Sequence, residues 1–458
     1  MVHEQVIRFA HELRFDDLPE TVVRQAQRCL LDLAGTAAGG SVTDASRIIR
    51  DYVARHHGFA AGAGARLLLD GRRVSPAGAA LAGGVTIDSL DCHDGHVLTK
   101  GHAGVAVFPA LMALMDAERA VDGREFLAAL VVGYEIATRA GIALHATACD
   151  YHSSGAWTAL ACAALGARFL RLDSQATWHA LGIAEYHGPR SQIMRCVDHP
   201  AMVKDGAGWG AMAGLSAAYL AADGFTGAPA LTLEDGAVAA TWADVGARWR
   251  ILEQYFKPYP VCRWAQPAIE AALTLQQAHG LAAADIARVE VVTFHHAVRL
   301  GTRAPSTTEE AQYSLPFSVA VALVRGHVGA AEIGHDALHD AAVLRLADGM
   351  ALVEDAGYNA QFPAERWAHV VFHLRDGRRL TSSPMPARGG ADNPLSDAEL
   401  REKYWLLAEP LLGAPRAQQI AACIDRLPDA PGDLDTLRGL LLSPASPEQH
   451  ELHQEEKA

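Results

Sequence analysis

The chain has 458 residues, enough for two or three domains of about 100–200 residues each. Half of the residues are hydrophobic and few are aromatic, a composition typical of a large globular core. The formal net charge is −14 and the sequence has no basic run, so we expect neither nucleic acid nor a membrane surface as a partner. A small anionic substrate would need a local cluster of positive charge.

The N-terminus and the cysteines bear on the cellular compartment. Residues 1–5 are polar and lack the basic and apolar regions of a signal peptide. The seven cysteines are scattered and form no Cys-x-x-Cys pair, which argues against a disulfide framework, a zinc knuckle or an iron–sulfur site. We therefore expect a cytoplasmic protein.

Helical periodicity dominates the first 224 residues. The first clear helix is predicted over 18–38, with Asp17 as its cap and Gly39-Gly40 at its end. The most apolar stretch, 126–148, contains Glu135 and Arg139, and this predicts a buried helix pair instead of a membrane span. A hairpin is predicted at 66–74. Further helices are predicted over 45–55, 75–90, 105–119, 123–146, 155–170, 174–185 and 209–222.

The pattern changes near residue 285. A strand is predicted from Arg288, and a strand pair from Trp367 to Ser382 around an Asp-Gly turn, with helices over 314–324 and 330–347 between them. Helix returns from Asp397 to Leu442. The predicted fold class is mainly α: a large all-helical domain built from both chain ends, 1–271 and 396–458, plus a smaller inserted α+β domain, 272–395.

Lysine is scarce, because only five of the 39 basic residues are lysines. Where arginine serves as the general cation, a lysine is more often at a site that needs a compact, titratable amine. Lys403 and Lys457 lie near the charged C-terminal end, and we interpret them as chance survivals. Lys100, Lys204 and Lys257 lie on loops shaped by glycine or proline.

The densest group of titratable residues runs from Asp88 to His102 and contains three aspartates, three histidines and a lysine between two apolar helices. One interpretation is an acid/base and anion-binding loop. A second is a metal site, and a third is a solvated turn with capping aspartates. The ligands of the metal alternative would be His93, Asp94, His96 and His102.

Three further segments place polar residues ahead of helices. His152 precedes Ser153-Ser-Gly155 at a helix start that favours an anion, although an ordinary cap beside a bystander histidine explains it equally. Lys204 lies in a glycine-rich loop before another helix. Lys257 and Arg263 lie on a proline-stiffened loop just before the predicted domain change. Arg168, on an alanine-rich helix, is predicted to point to solvent.

The order of these segments resembles the 2-methylcitrate dehydratase (MmgE/PrpD) family over nearly the whole chain. The family's Asp-Phe-Asp-Asp-Thr-His segment is similar to Asp91-Cys-His-Asp-Gly-His96, and its His-Pro-Thr-Gly to His152-Ser-Ser-Gly155. Its loop lysine before Gly-Phe-Thr-Gly resembles Lys204, and its Lys-x-Tyr-Pro-x-Cys resembles Lys257-Pro-Tyr-Pro-Val-Cys262. The resemblance implies a helical domain with an α+β domain, a homodimer, and catalysis without metal or other cofactor.

Three positions depart from the family pattern. Gly95 stands where threonine is common, Gln266 where histidine is common, and Phe317 where tyrosine is common. Each departure removes a polar group, and this chain offers His93, Lys100 and Arg263 in partial exchange. The exact substrate of another member is therefore not transferred to this chain.

The family chemistry breaks a bond at a carbon next to a carboxylate, which calls for cations around the carboxylates and a positioned base. The candidate catalytic residues are His102, His152, Asp91, Asp94 and Lys204. The candidate substrate-binding residues are His96, Lys100, Lys257, Arg263 and Gln266. A dehydratase is favoured over an epimerase or a decarboxylase, and a metal-dependent hydrolase and a non-catalytic scaffold stay as alternatives.

Overall fold

The computed structural model describes residues 2–60 and 64–445. The chain is mainly α, as predicted, with 59% of its residues in helices. The helices before residue 260 are α1 Val2–Glu12, α2 Glu20–Gly40, α3 Asp44–His56, α4 Pro76–Asp88, α5 Gly104–Ala117, α6 Gly123–Thr147, α7 Gly155–Leu170, α8 Ser174–His187, α9 Met194–Asp198, α10 Ala207–Ala222, α11 Leu231–Glu234 and α12 Ala239–Trp242. The others are α13 Gln266–Ala278, α14 His295–Val298, α15 Thr308–Gln312, α16 Leu315–Arg325, α17 Ala341–Asp348, α18 Ala356–Gln361, α19 Asp397–Arg426 and α20 Asp433–Leu441.

The apolar stretch that was predicted to form a helix pair is one helix, α6, so that prediction was wrong. Glu135 and Arg139 do not break it, because they are one turn apart and pair inside the protein at 3.3 Å. By length and composition α6 could cross a membrane, yet 94% of its most apolar window is buried inside the protein. It is therefore a core helix of the folded protein.

Small residues let the helices around the candidate site approach closely. A Cβ added to Gly214 of α10 would lie 2.3 Å from the carbonyl oxygen of Ala159 in α7. A Cβ added to Gly84 of α4 would lie 2.5 Å from the Cα of Gly208. Backbones that touch leave little freedom. The start of α10, which carries the Lys204 loop, is thereby fixed against α4 and α7.

The strands are β1 Ala65–Arg66, β2 Arg73–Val74, β3 Ile286–Thr293, β4 Ala351–Glu354, β5 Trp367–Leu374, β6 Arg379–Thr381 and β7 Met385–Pro386. Strands β1 and β2 form the predicted hairpin, and β5 and β6 form the second one. The larger sheet has the order β4-β3-β5-β6, with β7 on β5; β3 is antiparallel to β5 and parallel to β4.

Two predictions in this region were wrong. Strand β4 was not anticipated, because its four residues are half-buried or exposed at the sheet edge and show no clear alternation. The helix expected over 330–347 is two short 3-10 turns followed by α17. Asp340 explains the change, since its side chain accepts from the backbone N–H groups of Ala342 and Val343 and begins a new helix there.

The buried apolar side chains form two main cores. The first takes its residues from 6–256 and 395–445, and the second from 196–197 and 261–374. The C-terminal helical region is α19, kinked at Gly413, followed by α20, and not one continuous helix. The domain boundaries stay a prediction. The last residues of the predicted helical domain, 446–458, which include Lys457, lie outside the described residues.

Candidate active site

A small cavity of about 50 Å³, lined by both charged and apolar side chains, lies where the two cores meet. Its lining includes the Asp91–His102 loop and the Lys204 loop, the chain connection at 255–264, and four further residues that belong to the second core or lie beside it. The lining residues are Asp91, Lys100, His102, Ile193, Val197, Asp205, Tyr255, Lys257, Cys262, Arg263, Trp264, Tyr313 and Arg366. Segments far apart in sequence therefore converge on one buried, charged space.

Larger clefts exist, but their chemistry is less suited to a reaction. One of about 670 Å³ near the start of α2 contains several arginines. Two of these, Arg24 and Arg28, are paired with Asp397, and Arg401 is paired with Asp425. These ion pairs are surface interactions of the ordinary kind. We therefore place the candidate active site in the smaller buried cavity.

Asp91 and Lys257 form a buried ion pair in the cavity wall. The Lys257 Nζ donates to Asp91 Oδ1 at 2.6 Å and to the Asp91 carbonyl at 2.8 Å. Although burial alone would raise it, Lys257 and Lys204 hold the pKa of Asp91 below its usual value. Burial opposes the charge on Lys257 too, but the Asp91 carboxylate raises the pKa of that amine. Both groups are charged, and each largely neutralises the other.

His102 is held as a neutral imidazole. Its ring nitrogen Nδ1 lies 2.5 Å from the carbonyl oxygen of Asp94, and because a carbonyl only accepts, Nδ1 carries the proton. Its backbone N–H donates to Ser154 Oγ at 2.9 Å. Burial, helped by the nearby Lys257 charge, lowers the pKa of His102 to about 3. The unprotonated Nε2 is thus available as a proton acceptor at neutral pH.

The Lys204 loop is fixed by buried polar contacts. Lys204 is 5% exposed, donates to Gln312 Oε1, and has its amine 5.4 Å from the centre of the Tyr313 ring. Ser154 donates to the neighbouring Asp205, whose own N–H donates to Asp88 Oδ2 at 3.2 Å. Burial raises the pKa of both aspartates, with repulsion from Asp205 added at Asp88. The cavity lining thereby includes one carboxyl group, that of Asp205, which holds a proton more readily than an ordinary aspartate.

Backbone strain concentrates at this cavity. Five non-glycine residues of the described chain have positive φ, and three of them are Asp91 at 51°, Lys100 at 50° and Lys204 at 44°. Left-handed conformations are costly for such side chains and persist only where the surrounding structure enforces them. The three residues were singled out from sequence for other reasons. Their shared conformation supports a functional role for this loop set.

Three further cations line the cavity. The Lys100 amine lies 3.6 Å from the centre of the Tyr151 ring, and burial, with repulsion from Arg366, lowers its pKa to about 8. The Arg263 guanidinium lies 3.7 Å from the centre of the Tyr255 ring, and burial lowers its pKa to about 9. Arg366 is 5% exposed, and burial lowers its pKa as well.

Gly95 makes room for Tyr255. A Cβ at position 95 would lie 2.5 Å from the Tyr255 hydroxyl and 2.7 Å from His102 Nδ1. The two backbones also exchange hydrogen bonds, at 3.0 Å and 2.7 Å. Glycine at position 95, where threonine is common in the family, therefore allows Tyr255 to occupy its place in the cavity lining. A phenol next to His102 takes the space that a threonine side chain would need.

Four of the predicted site residues have their side chains elsewhere. The Asp94 carboxyl lies in the core near Tyr134, where burial and the repulsion of Asp32 raise its pKa to about 7. His96 Nε2 is 2.9 Å from Glu253 Oε2, and Gln266 donates to the carbonyls of Tyr259 and Val261.

His152 also lies away from the cavity lining, half-buried beside His145, and its Nε2 is 3.6 Å from Asp150 Oδ1. The structure brings Asp91, Lys100, His102, Lys257 and Arg263 together in the cavity lining, with Lys204 behind Tyr313. The roles of His96, His152 and Gln266 stay predictions. Asp94 contributes through its backbone, because its carbonyl fixes the tautomer of His102.

Some site residues were missed from the sequence. Arg366, Tyr255 and Asp205 line the cavity without belonging to a recognised motif. Tyr313 directly precedes the Ser314 segment, in which the family pattern drew notice to Phe317 instead. Phe317 is a buried core residue. The interpretation of Lys403 as a chance survival was wrong. Its amine lies 2.5 Å from both Asp32 Oδ1 and the Cys92 carbonyl, beneath the Asp91–His102 loop.

The four candidate metal ligands do not converge. His93 Nε2 lies 3.8 Å from Asp88 Oδ1, whereas His96 faces Glu253 and His102 donates to a backbone carbonyl. Within residues 2–60 and 64–445, no group of three or more His, Cys, Asp or Glu side chains is arranged to hold a metal ion. The arrangement of the side chains in this loop therefore suits acid/base chemistry better than the binding of a metal ion.

Two models of one protein family together match most of the chain by sequence. Residues 4–247 match the MmgE/PrpD N-terminal domain, and residues 259–429 match the MmgE/PrpD C-terminal domain. A cis-aconitate decarboxylase-like protein of Aspergillus oryzae is 26% identical over 92% of this chain and 93% of its own length. The cis-aconitate decarboxylase of Homo sapiens is 24% identical over 96% and 94% of the two chains. That of Aspergillus terreus is 23% identical over 97% of each.

Proposed function

The chain belongs to the MmgE/PrpD family, and on that premise we propose that it is a lyase acting on a small polycarboxylate in the cavity between its two cores. The observation that carries the proposal is the neutral His102 in a space lined by Lys100, Arg263 and Arg366. A bond broken next to a carboxylate leaves negative charge that spreads onto that carboxylate. Fixed cations in a buried site stabilise such charge strongly.

Two reactions of this class suit the cavity. Decarboxylation breaks a carbon–carbon bond, releases carbon dioxide, and leaves an electron pair that takes a proton. The similar proteins named as cis-aconitate decarboxylases favour this reaction for the present chain. A proton donor is at hand in Asp205, whose pKa burial raises. We place decarboxylation of a cis-aconitate-like acid first.

Dehydration is the second candidate, and the protonation state of His102 favours it. A base removes a proton from the carbon next to a carboxylate, and an acid protonates the hydroxyl that leaves as water. A neutral His102 with a free Nε2 suits the base, and Asp205 suits the acid. The resemblance of motifs to 2-methylcitrate dehydratase supports the same reaction. Epimerisation would share the first of these two steps and would then return a proton to the same carbon from its opposite face.

The deciding experiment incubates the purified protein with cis-aconitate, citrate and 2-methylcitrate separately. Products are followed by nuclear magnetic resonance, and carbon dioxide release is measured in parallel. We expect one acid to be converted, with carbon dioxide for decarboxylation or with a new double bond and no carbon dioxide for dehydration. His102→Asn serves as the matched inactive variant. Conversion at the same rate by that variant would contradict the proposed site.

The remaining expectations concern the context of the enzyme. We propose a homodimer, on the family resemblance, and a cytoplasmic location. The location is supported by the cysteines, since the seven thiols are unpaired in the described chain and six of them are buried. Light scattering on a size-exclusion column tests the dimer, because a mass near 97 kDa is twice that of one chain of 48.7 kDa.

A further inference from the structure

The cations of the cavity divide into two groups by their partners. Lys257 is paired with Asp91, and Lys204 donates to Gln312. Lys100, Arg263 and Arg366, which we call the unpaired triad, each donate one hydrogen bond in the described chain, to a backbone carbonyl. These carbonyls belong to Leu98, Arg388 and Pro363, at 3.5, 3.3 and 3.1 Å. No carboxylate of the described chain lies within 4 Å of any triad cation.

Such an arrangement is costly in a protein without a ligand. Arg263 and Arg366 are 7% and 5% exposed, and the Nε atom of each is buried without a hydrogen-bond partner. Buried charges are normally paired, because the interior does not replace the hydration they lose. The triad members also repel one another across a shared cavity. A bound anion would supply the missing partner for all three.

We propose that the unpaired triad is a subsite for the carboxylate that a tricarboxylate has and a dicarboxylate lacks, and that Arg366 thereby makes the enzyme prefer tricarboxylates over dicarboxylates. This inference rests on the proposed lyase function and adds to it a residue from beside the second core. The planar guanidinium groups of Arg263 and Arg366 suit a carboxylate, which they can contact through two parallel N–H donors. The amine of Lys100 adds a compact charge.

The aromatic neighbours hold the triad in place. Arg263 is stacked 3.7 Å from the centre of the Tyr255 ring, Lys100 3.6 Å from Tyr151, and Arg366 5.5 Å from Phe362. Cation–ring contacts fix a charge without neutralising it. The triad also spans the molecule, since Lys100 belongs to a first-core loop and Arg366 directly precedes β5. A carboxylate bound here therefore connects the two cores.

The test measures binding of two unreactive acids by calorimetry. Tricarballylate has three carboxylates, and glutarate has the same chain without the central one. We expect wild-type protein to bind tricarballylate more tightly than glutarate. Arg366→Gln should weaken tricarballylate binding by about 30-fold or more, as expected for the loss of one partner of a buried charge pair. Glutarate binding should weaken less, so the preference between the acids falls.

Controls separate this result from damage to the fold. Arg378→Gln removes an exposed arginine of the β5–β6 turn, whose partner is Asp376 at 2.7 Å, and should change neither affinity. Arg366→Gln should be at least as heat-stable as wild type without ligand, because it removes an unpaired buried charge. If it does not fold, Lys100→Gln, on a half-buried loop side chain, is used in the same measurement. Unchanged tricarballylate affinity in the folded variant would overturn the proposal.

Two outcomes distinguish the subsite from the lyase. Binding of tricarballylate that depends on Arg366, with no conversion of any acid, would leave the subsite standing and contradict the lyase. Conversion of an acid with a KM that Arg366→Gln does not change would support the lyase and contradict the subsite. Sulfate is added as a competing anion. Equal displacement of tricarballylate by sulfate at similar concentrations would show a general anion site and contradict selection for carboxylates.

Discussion

Arg168 and Arg366 are both buried arginines, but their surroundings differ in one respect. Arg168, on α7, was expected to face solvent, and this prediction was wrong. Its guanidinium contacts Glu125 at 3.0 Å and the carbonyls of Ala10 and Leu13 at 2.6 and 2.7 Å. Arg366 contacts the carbonyl of Pro363 and has no described carboxylate within reach. One arginine has its partners within the protein, and the other does not.

The comparison shows which property of a buried cation points to function. Burial alone does not, because Arg168 and Arg139 are as buried as Arg366 and connect helices to neighbouring segments. A cation with complete partners stabilises the fold. A buried cation without them costs stability, and such a cost is typical of a binding site. The following predictions test this distinction between the two kinds of site.

The largest effect on activity is expected at His102. His102→Asn should lower turnover by about 10²–10⁴-fold, the usual loss for a positioned proton-transfer group. Stability should change little, because the neutral ring is replaced by a neutral side chain. His152→Asn should have a smaller effect, since His152 does not line the cavity. Steady-state kinetics with the identified acid measure both variants. A larger loss at His152 would show that the site extends beyond this cavity.

Arg168→Ala should affect stability instead of chemistry. Removal of this guanidinium leaves two buried carbonyls without this donor and the Glu125 carboxylate with only Arg119, at 3.4 Å, and should lower the free energy of unfolding by about 3 kcal/mol. Turnover per folded molecule should stay within about twofold. Urea unfolding followed by circular dichroism gives the first quantity. If the variant is fully stable but inactive, the distinction between paired and unpaired cations fails.

The wrong prediction for Arg168 also shows how much of the fold and of the site could be predicted from the sequence. Helical and strand periodicity, together with capping residues and glycines at the ends, located α2 to α8, β3, β5 and β6 to within a few residues. Motif order proposed Asp91, His102, Lys204 and Lys257 as site residues. Lys100 and Arg263 were proposed from their glycine- and proline-shaped loops. The helix split near Asp340 depended on one capping side chain. Lys403 could not be assigned, because its partners Asp32 and Cys92 are more than 300 residues away in the chain. Arg366 could not be assigned, because only the fold brings it to the cavity beside Arg263 and Tyr255, which are more than 100 residues away.

The pH dependence of binding should reveal the unpaired triad. Burial holds the pKa of Lys100 at about 8 in the free protein, so its positive charge is present below pH 8 and is lost as the pH rises through that value. The substrate carboxylates stay ionised throughout. The ratio kcat/KM, which reports groups of the free enzyme, should therefore fall on the alkaline side of about pH 8, by about tenfold.

Lys100→Arg is the variant that sharpens this test. An arginine at position 100 stays charged, so the alkaline limb should move up toward the pKa of about 9 that burial gives Arg263. Lys100→Gln should give a lower kcat/KM with no limb near pH 8. A limb that stays in place in both variants would assign the titration to another group, and would remove this support for a charged Lys100 in the subsite.

Chelation should have the smallest effect. Of the side chains that a metal would need, His96 pairs with Glu253 and His102 donates to the Asp94 carbonyl, whereas His93 packs with its ring centre 4.3 Å from that of His102. Within the described residues, no three such side chains are grouped to hold an ion. A functional metal site requires ligands that converge at about 2.0–2.2 Å from one ion. The cations of the cavity, moreover, offer a way to stabilise developing negative charge without a Lewis acid. Dialysis against a strong chelator should leave turnover within about twofold, with elemental analysis of the same sample.

About one metal ion per chain, with activity lost on its removal and restored on its return, would contradict the acid/base site. It would also require the Asp88–His102 loop to rearrange, because the present side-chain directions leave no common centre for an ion.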